Sequence, residues 1–374
     1  MNDPAAVVLL FEHATTSGHV LAEARLNSEG TLNSLSLEMI DILAPALSRW
    51  AADDRVVAVL LSGAGDKAFS AGGDIQALYR AMVKNHAAGS VVDPYPYRFF
   101  EREYRLDYQL HTYRKPVVAI GHGIVMGGGL GVFSGSRFRI ATEKTRVAIP
   151  EVGIGLFPDA GATIMLGRLP RHVATFLGVT GSHINAADTV LAGIATHHVA
   201  AAERGTVRER LLAANWSGLA GGHVEAVERA LAGIPGAPLP AAQITGIPEA
   251  LHPGGSVREV AARVEALAGR SAWIDNGIAS LRRGCPASVG IVVEQLQRAP
   301  GLSLADSFRL EMIVATHCAN HLDFAEGVRA LLIDKDNSPR WQHSGIDTLP
   351  ASYVAEHFTA PWPQNPLHDL ETLQ

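Results

Sequence analysis

Two hydrophobic patterns alternate along the first half of the chain. Alternating or β-branched residues at 7–12 and 19–26 predict two strands separated by turn residues. Apolar residues then recur every three or four positions and predict one buried helix face, which consists of Ile40, Leu43, Leu47 and Trp50. A continuous apolar run at 56–62 predicts a strand that is covered on both faces. Strand and helix therefore alternate, which predicts an α/β layer.

The alternation continues to about residue 150 and then gives way to helices. In the first half the patterns also predict helices at 102–113 and 127–135 and strands at 116–120, 138–141 and 147–149. After about residue 185 helical spacing dominates, in segments 207–216, 223–231, 257–267, 288–296 and 304–321. The stretch 234–253 is rich in Pro and Gly and indicates a connector. We therefore predict a catalytic core at 1–185 and a mainly helical region at 186–374.

Composition excludes several classes of function. Of the 374 residues 47% are hydrophobic and 18% charged, as in ordinary folded domains. The formal net charge of -6 argues against a general nucleic-acid binder, because phosphate binding needs an excess of Lys and Arg. The sequence has neither an apolar run of about 18 residues, as a membrane span requires, nor a secretion signal at 1–4, so we expect a cytoplasmic protein with no membrane partner.

The cysteines and histidines show no metal-ligand spacing. Cys285 and Cys318 are far apart and form no CxxC pair, so free thiols in a reducing compartment are expected. His, Cys and Asp do not cluster at the spacing of a metal site, so no metal is predicted.

Two glycine clusters each follow a predicted buried strand, at 69–74 (FSAGGD) and 121–129 (GHGIVMGGG). Glycine permits close approach of a ligand to the backbone, and a helix N-terminus offers free N–H groups to negative charge. The second cluster has the spacing GxGxxxG, one residue longer than the dinucleotide motif, and no GxxxxGK followed by Ser or Thr occurs. Tight turns alone would explain one such cluster, whereas two clusters after two strands favour a shared site.

Two carboxylates lie in an otherwise apolar stretch at 148–161 (AIPEVGIGLFPDAG). Burial disfavours the charged form of a carboxylate and raises its pKa towards values that suit acid–base catalysis. Glu151 and Asp159 are therefore candidate catalytic residues. The alternative is that both cap helices, since a helical turn can follow each of them.

The order and sequence of these motifs resemble the crotonase superfamily, which includes enoyl-CoA hydratases and isomerases. The matching segments are 26–27 and 32–35 near the start, the FxAGxD-like loop 69–75, the GGG turn 127–129, the PE element 149–151 and the Pro-containing segment 157–161. The resemblance covers residues 5–200. It implies an α/β fold, a crotonase-like spiral of ββα repeats with a C-terminal helical region, and an acyl-CoA substrate.

Within this superfamily the chain is most similar to a branch that hydrolyses CoA thioesters. The segments that match this branch are 141–144, 153–159, 323–336 and 338–341. Hydratases carry a glutamate two residues after the GGG turn, but this chain has Gly131 there, and it has Asp159 where hydratases usually have glycine. The acid pair that adds water to a double bond is thus incomplete. The resemblance implies hydrolysis of a short 3-hydroxyacyl-CoA such as 3-hydroxyisobutyryl-CoA, as in valine catabolism.

The resemblance also implies roles for single residues. The backbone N–H groups of Gly73 and Gly128 match the family's oxyanion hole, which stabilises the thioester oxygen in the transition state. Glu151 would act at the carbonyl carbon, either by activating water or by direct attack that forms an anhydride. Asp159 would bind the 3-hydroxyl group of the substrate or steer the water. The other predicted substrate-binding residues are Glu103, Ala71, Gly72 and Asp74.

Several assignments have alternatives. Glu103 could instead lie on a solvated helix face, and His122 beside the second glycine cluster is expected to be structural. The candidate cations for the CoA phosphates are Lys67, Arg80, Arg329 and Lys335. No cofactor is expected, since CoA is part of the substrate.

The alternatives to a hydrolase are an enoyl-CoA hydratase or isomerase on the same fold and a non-catalytic acyl-CoA-binding protein. Crotonases often form trimers, so a homo-oligomer is expected, although the helical second half leaves the assembly open.

Overall fold

The computed structural model describes residues 5–217 and 222–372, and its contacts divide the chain into two compact units. The sheet unit consists of Met1–Gly73, Gln109–Val147 and Asn185–Ala242. The helical unit consists of Asp74–Tyr108, Ala148–Ile184 and Gln243–Gln374. Each unit takes segments from both sides of residue 185. The predicted division into functional regions at that residue stays a prediction.

Among the described residues, a six-stranded and a three-stranded sheet form the frame of the sheet unit. The strands in chain order are β1 (Val8–Ala14), β2 (Val20–Leu26), β3 (Val56–Gly63), β4 (Ala68–Ser70), β5 (Val117–Gly121), β6 (Ile124–Met126), β7 (Phe138–Ala141), β8 (Arg146–Ala148) and β9 (His197–His198). The larger sheet has the order β1-β2-β3-β5-β7-β9 and the smaller one β4-β6-β8. β1 pairs antiparallel with β2, whereas the other neighbours in the larger sheet are parallel.

The helices of the described residues lie in both units. In chain order they are α1 (Leu37–Ala52), α2 (Ile75–Ala88), α3 (Tyr95–His111), α4 (Gly128–Gly135), α5 (Ala162–Arg168), α6 (Arg171–Thr180), α7 (Ala186–Leu191), α8 (Arg204–Ala213), α9 (Gly222–Leu231), α10 (Val257–Glu265), α11 (Ala272–Arg283), α12 (Pro286–Arg298), α13 (Leu304–Asn320), α14 (Leu322–Val328) and α15 (Ala351–Glu356). No helix of the described residues has both the length and the apolar character that crossing a membrane requires.

The hydrophobic patterns account for these elements. The side chain of Ser36 accepts a hydrogen bond from the amide of Met39, so α1 begins at a capped N-terminus. The predicted apolar stripe of this helix, from Ile40 to Trp50, is buried. In β3 the apolar run is buried on both faces, and its residues join a core cluster that includes Trp216. Burial of such side chains stabilises the fold by about 1.5–3 kcal/mol each.

Most predicted elements are confirmed, with small shifts at their ends. The helix predicted at 102–113 begins earlier, at Tyr95, and the one predicted at 207–216 ends at Ala213. Helix α2 follows the first glycine cluster, where a helix-like segment is expected, and Leu78 and Met82 occupy its buried face. The predicted connector at 234–253 lacks regular helix and strand apart from a single 3-10 turn, Ile244–Gly246.

Candidate active site

The last residues of the two glycine clusters, 71–74 and 127–129, directly follow the neighbouring strands β4 and β6 of the smaller sheet. Strands β4 and β6 are parallel, so the chain leaves both of them at the same edge. A side chain on Gly72 would lie 3.5 Å from the carbonyl oxygen of Met126, and one on Gly129 would overlap Ser70 at 2.5 Å. Gly72 and Gly127 have φ angles of 103° and 49°, which favour glycine. The loops therefore pack against each other, and this packing depends on their glycines.

The backbone amides of Gly73 and Gly128 are the predicted oxyanion donors. Gly128 is the first residue of α4. The carbonyl oxygen of the preceding residue, Gly127, accepts a hydrogen bond of 2.8 Å from the amide of Leu130. Gly73 forms an isolated parallel bridge with Leu35. Within 5–217 and 222–372, neither of the two amides donates a backbone hydrogen bond. Unpaired amides of this kind suit a developing oxyanion, which supports the assigned role without testing it.

The helical unit contains the predicted carboxylates. Glu151 lies in the 3-10 turn Pro150–Ile154 and is 4% exposed, while Asp159 is 9% exposed. The hydroxyl group of Tyr104 donates a hydrogen bond of 2.7 Å to Oδ2 of Asp159. Glu103, the neighbour of Tyr104 on α3, is buried as well.

Burial sets the protonation of these acids. It raises the pKa of Asp159 to about 6, although the hydrogen bond from Tyr104 lowers it. Burial, helped by the charge of Asp159, raises the pKa of Glu151 well above its ordinary value. The pKa of Glu103 is also raised well above its ordinary value, first by burial and then by the charges of Asp159, Glu311 and Glu151. Repulsion of this kind acts between neighbouring carboxyl groups, and it moves their pKa values towards those of general acids and bases.

Two more buried acids accompany this group. Asp107 is fully buried, and neither of its carboxyl oxygens has a hydrogen-bond partner among the described residues. Burial, together with the charge of Glu103, raises the pKa of Asp107 well above its ordinary value. Glu311 of α13 accepts hydrogen bonds from the amides of Gly161 at 2.8 Å and Thr163 at 2.9 Å. Burial raises the pKa of Glu311 to about 8.

The backbone around Asp159 is held by side chains of α12 and α13. In addition to the two bonds of the α13 glutamate, Gln295 of α12 donates to the carbonyl oxygen of Pro158 at 2.6 Å and to Oγ1 of Thr163 at 2.7 Å. Ala160 has a φ angle of 54°, a left-handed conformation that costs energy in a residue with a side chain. These contacts on both sides hold the turn and so fix the position of Asp159.

A cavity of about 290 Å³ within the sheet unit is lined by charged residues. They are Glu23, Arg25, Arg204 and Arg208. Glu23 is buried, accepts a hydrogen bond of 2.8 Å from Arg25 and lies 3.8 Å from Arg208, while Arg204 pairs with the exposed Asp66. Three guanidinium groups and the carboxylates of Glu23 and Asp66 leave one net positive charge at the cavity, which favours an anionic ligand.

The predicted CoA-phosphate cations differ in availability. Arg329 pairs with three carboxylates at 2.6–2.8 Å, which are Glu326, Asp334 and Asp336. Its charge is therefore already balanced. Lys67, Arg80 and Lys335 are exposed.

Comparison with known proteins identifies the family. Residues 21–358 match the family model described as Enoyl-CoA hydratase/isomerase. The chain belongs to this family. A relative from Danio rerio named "3-hydroxyisobutyryl-CoA hydrolase, mitochondrial" is 34% identical over 362 residues, which cover 96% of this chain and 91% of the relative. A small ribosomal subunit protein, mS47, from Neurospora crassa is 32% identical, with 94% of this chain and 72% of that protein covered.

A solved structure of similar fold supports the family assignment. A crystal structure of a carnitinyl-CoA dehydratase from Mycobacterium thermoresistibile aligns with a TM-score of 0.82 at 28% identity, covering 96% of this chain and 98% of the other. The expected crotonase-like α/β fold with C-terminal helices is thereby confirmed for this enoyl-CoA hydratase/isomerase family member.

The predicted site residues fall into two groups. Those of the sheet unit are Ala71, Gly72, Gly73 and Gly128, and those of the helical unit are Asp74, Glu103, Glu151 and Asp159. The alternative that Glu103 lies on a solvated face is wrong, since this side chain is 3% exposed. Asp74 caps α2 by accepting a hydrogen bond from the amide of Ala77, and its substrate role stays a prediction. Helix α5 after Asp159 has Gly161 as its N-cap, so the capping alternative for Asp159 has no support.

Tyr104, Glu311 and Gln295 were not among the predicted site residues. A signal was available for Glu311, because it lies in the predicted helix 304–321 between the buried residues Phe308 and Met312. A charged residue within an apolar stripe is rarely buried without a partner. The partners of Gln295 are 132 and 137 residues away in sequence, so no local pattern could reveal them.

Proposed function

We propose that the protein hydrolyses the thioester of a short 3-hydroxyacyl-CoA, with 3-hydroxyisobutyryl-CoA as the first substrate to test. The observation that carries the proposal is the buried pair Glu151 and Asp159 in a chain that has Gly131 where a hydratase needs its second acid. The name of the Danio rerio relative supports the same reaction.

In the water route the proton and electrons balance as follows. The carboxylate of Glu151 takes a proton from water while the water oxygen bonds to the carbonyl carbon, and the C=O electron pair moves to oxygen. The amides of Gly73 and Gly128 stabilise this oxyanion, and the loss of one such donor typically costs about 3–4 kcal/mol. When the carbonyl re-forms, the C–S bond breaks and the CoA thiolate takes the proton from Glu151. The raised pKa makes this glutamate a stronger base than an exposed one.

In the second route the carboxylate of Glu151 attacks the carbonyl carbon itself, expels the CoA thiolate and forms an anhydride that water then cleaves. Rapid-quench mass spectrometry during a single turnover separates the routes. An acyl adduct on the peptide that contains Glu151, formed before free acid appears, supports the anhydride. Free acid that appears with no adduct at any time supports water attack.

Asp159 is proposed to recognise the 3-hydroxyl group, because Tyr104 fixes the orientation of its carboxyl. A site built to hydrogen-bond a hydroxyl group discriminates strongly against analogues that lack it. The substitution Asp159→Asn should therefore lower kcat/KM more for 3-hydroxyisobutyryl-CoA than for isobutyryl-CoA. Equal losses on the two substrates would contradict hydroxyl recognition.

The reaction itself is tested by CoA thiol release with a thiol-reactive dye. The panel contains 3-hydroxyisobutyryl-CoA, 3-hydroxypropionyl-CoA, isobutyryl-CoA and crotonyl-CoA. Fastest release from a 3-hydroxy substrate supports the proposal, and no thiol release from any of the four refutes it.

A hydratase or dehydratase is the second candidate, favoured by the similarity to the carnitinyl-CoA dehydratase structure from Mycobacterium thermoresistibile. Crotonyl-CoA that loses its double-bond absorbance faster than it releases thiol would support this candidate, although Gly131 argues against it.

The relation to a ribosomal subunit protein favours a non-catalytic role instead. Tight acyl-CoA binding without turnover would support that role.

The proposal also covers how CoA is bound, where in the cell the protein lies and whether it forms oligomers. We assign the CoA phosphates to the cavity with Arg25, Arg204 and Arg208, rather than to Arg329, whose charge is balanced by three acids. A cytoplasmic location stays a prediction, and the Danio rerio relative is named as mitochondrial. A homo-oligomer likewise stays a prediction.

A further inference from the structure

Two histidines and a glutamate come together in the helical unit, outside the residues discussed so far. His317 lies in the last turn of α13, His321 is the C-cap residue that follows this helix, and Glu356 is the last residue of α15. One potential ligand atom from each of the three lies within 4.8 Å of the others. Two imidazoles and a carboxylate are donors that suit Zn²⁺ and similar transition metals, whereas Mg²⁺ and Ca²⁺ prefer oxygen ligands only.

The hydrogen bond of His317 prepares it for this role. Its Nε2 lies 2.8 Å from the carbonyl oxygen of Thr359. A carbonyl oxygen only accepts, so Nε2 carries the proton of the neutral ring and the lone pair lies on Nδ1. Histidines that bind metals commonly donate their other N–H group to a carbonyl or carboxylate oxygen in this way.

The distance between His321 and Glu356 also fits a shared ion. Nε2 of His321 and Oε1 of Glu356 are 3.7 Å apart, which is too long for a hydrogen bond. Two atoms bound to one tetrahedral Zn²⁺ are about 3.4 Å apart, as its bond lengths require. The Glu356 side chain is 55% exposed and can rotate to close the remaining difference.

Neighbouring aromatic rings hold the His321 ring in place. The ring stacks on buried His357 at 4.7 Å between centroids, and Tyr353 lies 4.9 Å away.

We propose that His317, His321 and Glu356 form a binding site for a divalent transition-metal ion of the Zn²⁺ class. The ion would link the end of α13 to the end of α15, and water would complete the coordination because Glu356 is exposed. The prediction of no metal-ligand spacing overlooked His317 and His321, which are four residues apart, and no local pattern could add Glu356, which is far along the chain from them. It is independent of the proposed thioester hydrolysis.

The test uses the full chain, purified without a histidine tag and stripped with a chelator. Zn²⁺ binding is measured by calorimetry, and Co²⁺ binding by the visible absorption of a tetrahedral or five-coordinate ion. The variants are His321→Ala and Glu356→Gln, and the control is His252→Gln, which alters an exposed histidine of the same unit.

We expect one Zn²⁺ per chain, with affinity at least about tenfold weaker in both variants and unchanged in the control, while Mg²⁺ does not compete. The melting temperature should rise with Zn²⁺ in the wild type and less in Glu356→Gln. Equal Zn²⁺ affinity in the wild type and Glu356→Gln, or no saturable binding, overturns the proposal. Glu356→Gln keeps the side-chain size at an exposed position, so it decides the question even if His321→Ala does not fold.

Discussion

The glycine loops of the sheet unit and the buried acids of the helical unit carry their chemistry in different ways. The loops offer main-chain amides, and a side chain on Gly129 would overlap Ser70 at 2.5 Å. The acids offer side chains such as Glu151 and Asp159, whose pKa values are raised by burial. Amides do not titrate near neutral pH, so the loops should respond to added volume and the acids to removed charge.

The largest effect is expected when one buried acid is replaced by an amide of the same size. Glu151→Gln should lower kcat for thioester hydrolysis by about 10²–10⁴-fold, because an amide cannot take the proton from water. Steady-state thiol release measures this loss, and circular dichroism checks the fold. The control is Glu294→Gln, which removes a half-exposed carboxylate from α12. Near-wild-type hydrolysis by Glu151→Gln would show that the assigned role is wrong.

The next-largest effect is expected when a methyl group is added to a glycine loop, which changes the volume but no charge. In Gly129→Ala the new methyl group has to displace Ser70 or the start of α4, so the amide of Gly128 should move. A misplacement of about 1 Å costs about 10²-fold in rate. The control is Gly30→Ala, since no atom lies within 4 Å of its Cβ position. We expect the rate to fall while the pH profile keeps its shape; a shifted profile would break the distinction between the two regions.

The same difference explains what the sequence could predict. Glycine loops depend on local geometry, so 69–74 and 121–129 were identified from a few neighbouring residues. The acids at 151 and 159 were identified from one apolar stretch, again a local signal. Residues that act on them from a distance were missed: Glu311 reaches Gly161 across 150 positions. Pairing over such separations is decided by tertiary packing, which no periodicity in the chain records.

The third effect concerns stability and pH. The pKa of Asp159 is about 6 in the folded protein, against 3.8 ordinarily, so between these values the folded state binds more protons than the unfolded state. The contribution of Asp159 to the free energy of unfolding therefore falls as pH rises from about 4 to about 6. Asp159→Asn removes this dependence and keeps an acceptor for Tyr104, so the variant should be more stable above about pH 6, by up to about 3 kcal/mol.

Urea unfolding across this pH range measures the difference between Asp159→Asn and the wild type. The glycine-loop variant Gly129→Ala is the matched control, because it should lower the free energy of unfolding by the same amount at every pH. If Asp159→Asn also shifts stability equally at every pH, Asp159 does not titrate in the folded protein as described.

The smallest expected effect concerns Glu311, which we assign as a positioning residue for Asp159. Glu311 accepts hydrogen bonds from the backbone amides of Gly161 and Thr163. In Glu311→Gln one of these amides would face an NH₂ group instead of an oxygen. A buried amide without a partner costs about 1–3 kcal/mol, so the free energy of unfolding should fall by about 2 kcal/mol. Removal of the half-exposed carboxylate in Glu294→Gln should cost less than about 1 kcal/mol.

Stability alone would not distinguish positioning from ordinary packing, so the decisive readout is substrate discrimination. The assay is run well below the melting temperature of Glu311→Gln. If Glu311 positions Asp159, this variant should lower the ratio of kcat/KM for 3-hydroxyisobutyryl-CoA to kcat/KM for isobutyryl-CoA, because Asp159 is the group proposed to bind the hydroxyl. A loss of stability with an unchanged ratio would mean that the hydrogen bonds of Glu311 support the fold but not the recognition of the hydroxyl group. The contrast between the two regions then sharpens, because Gly129→Ala should slow both substrates alike.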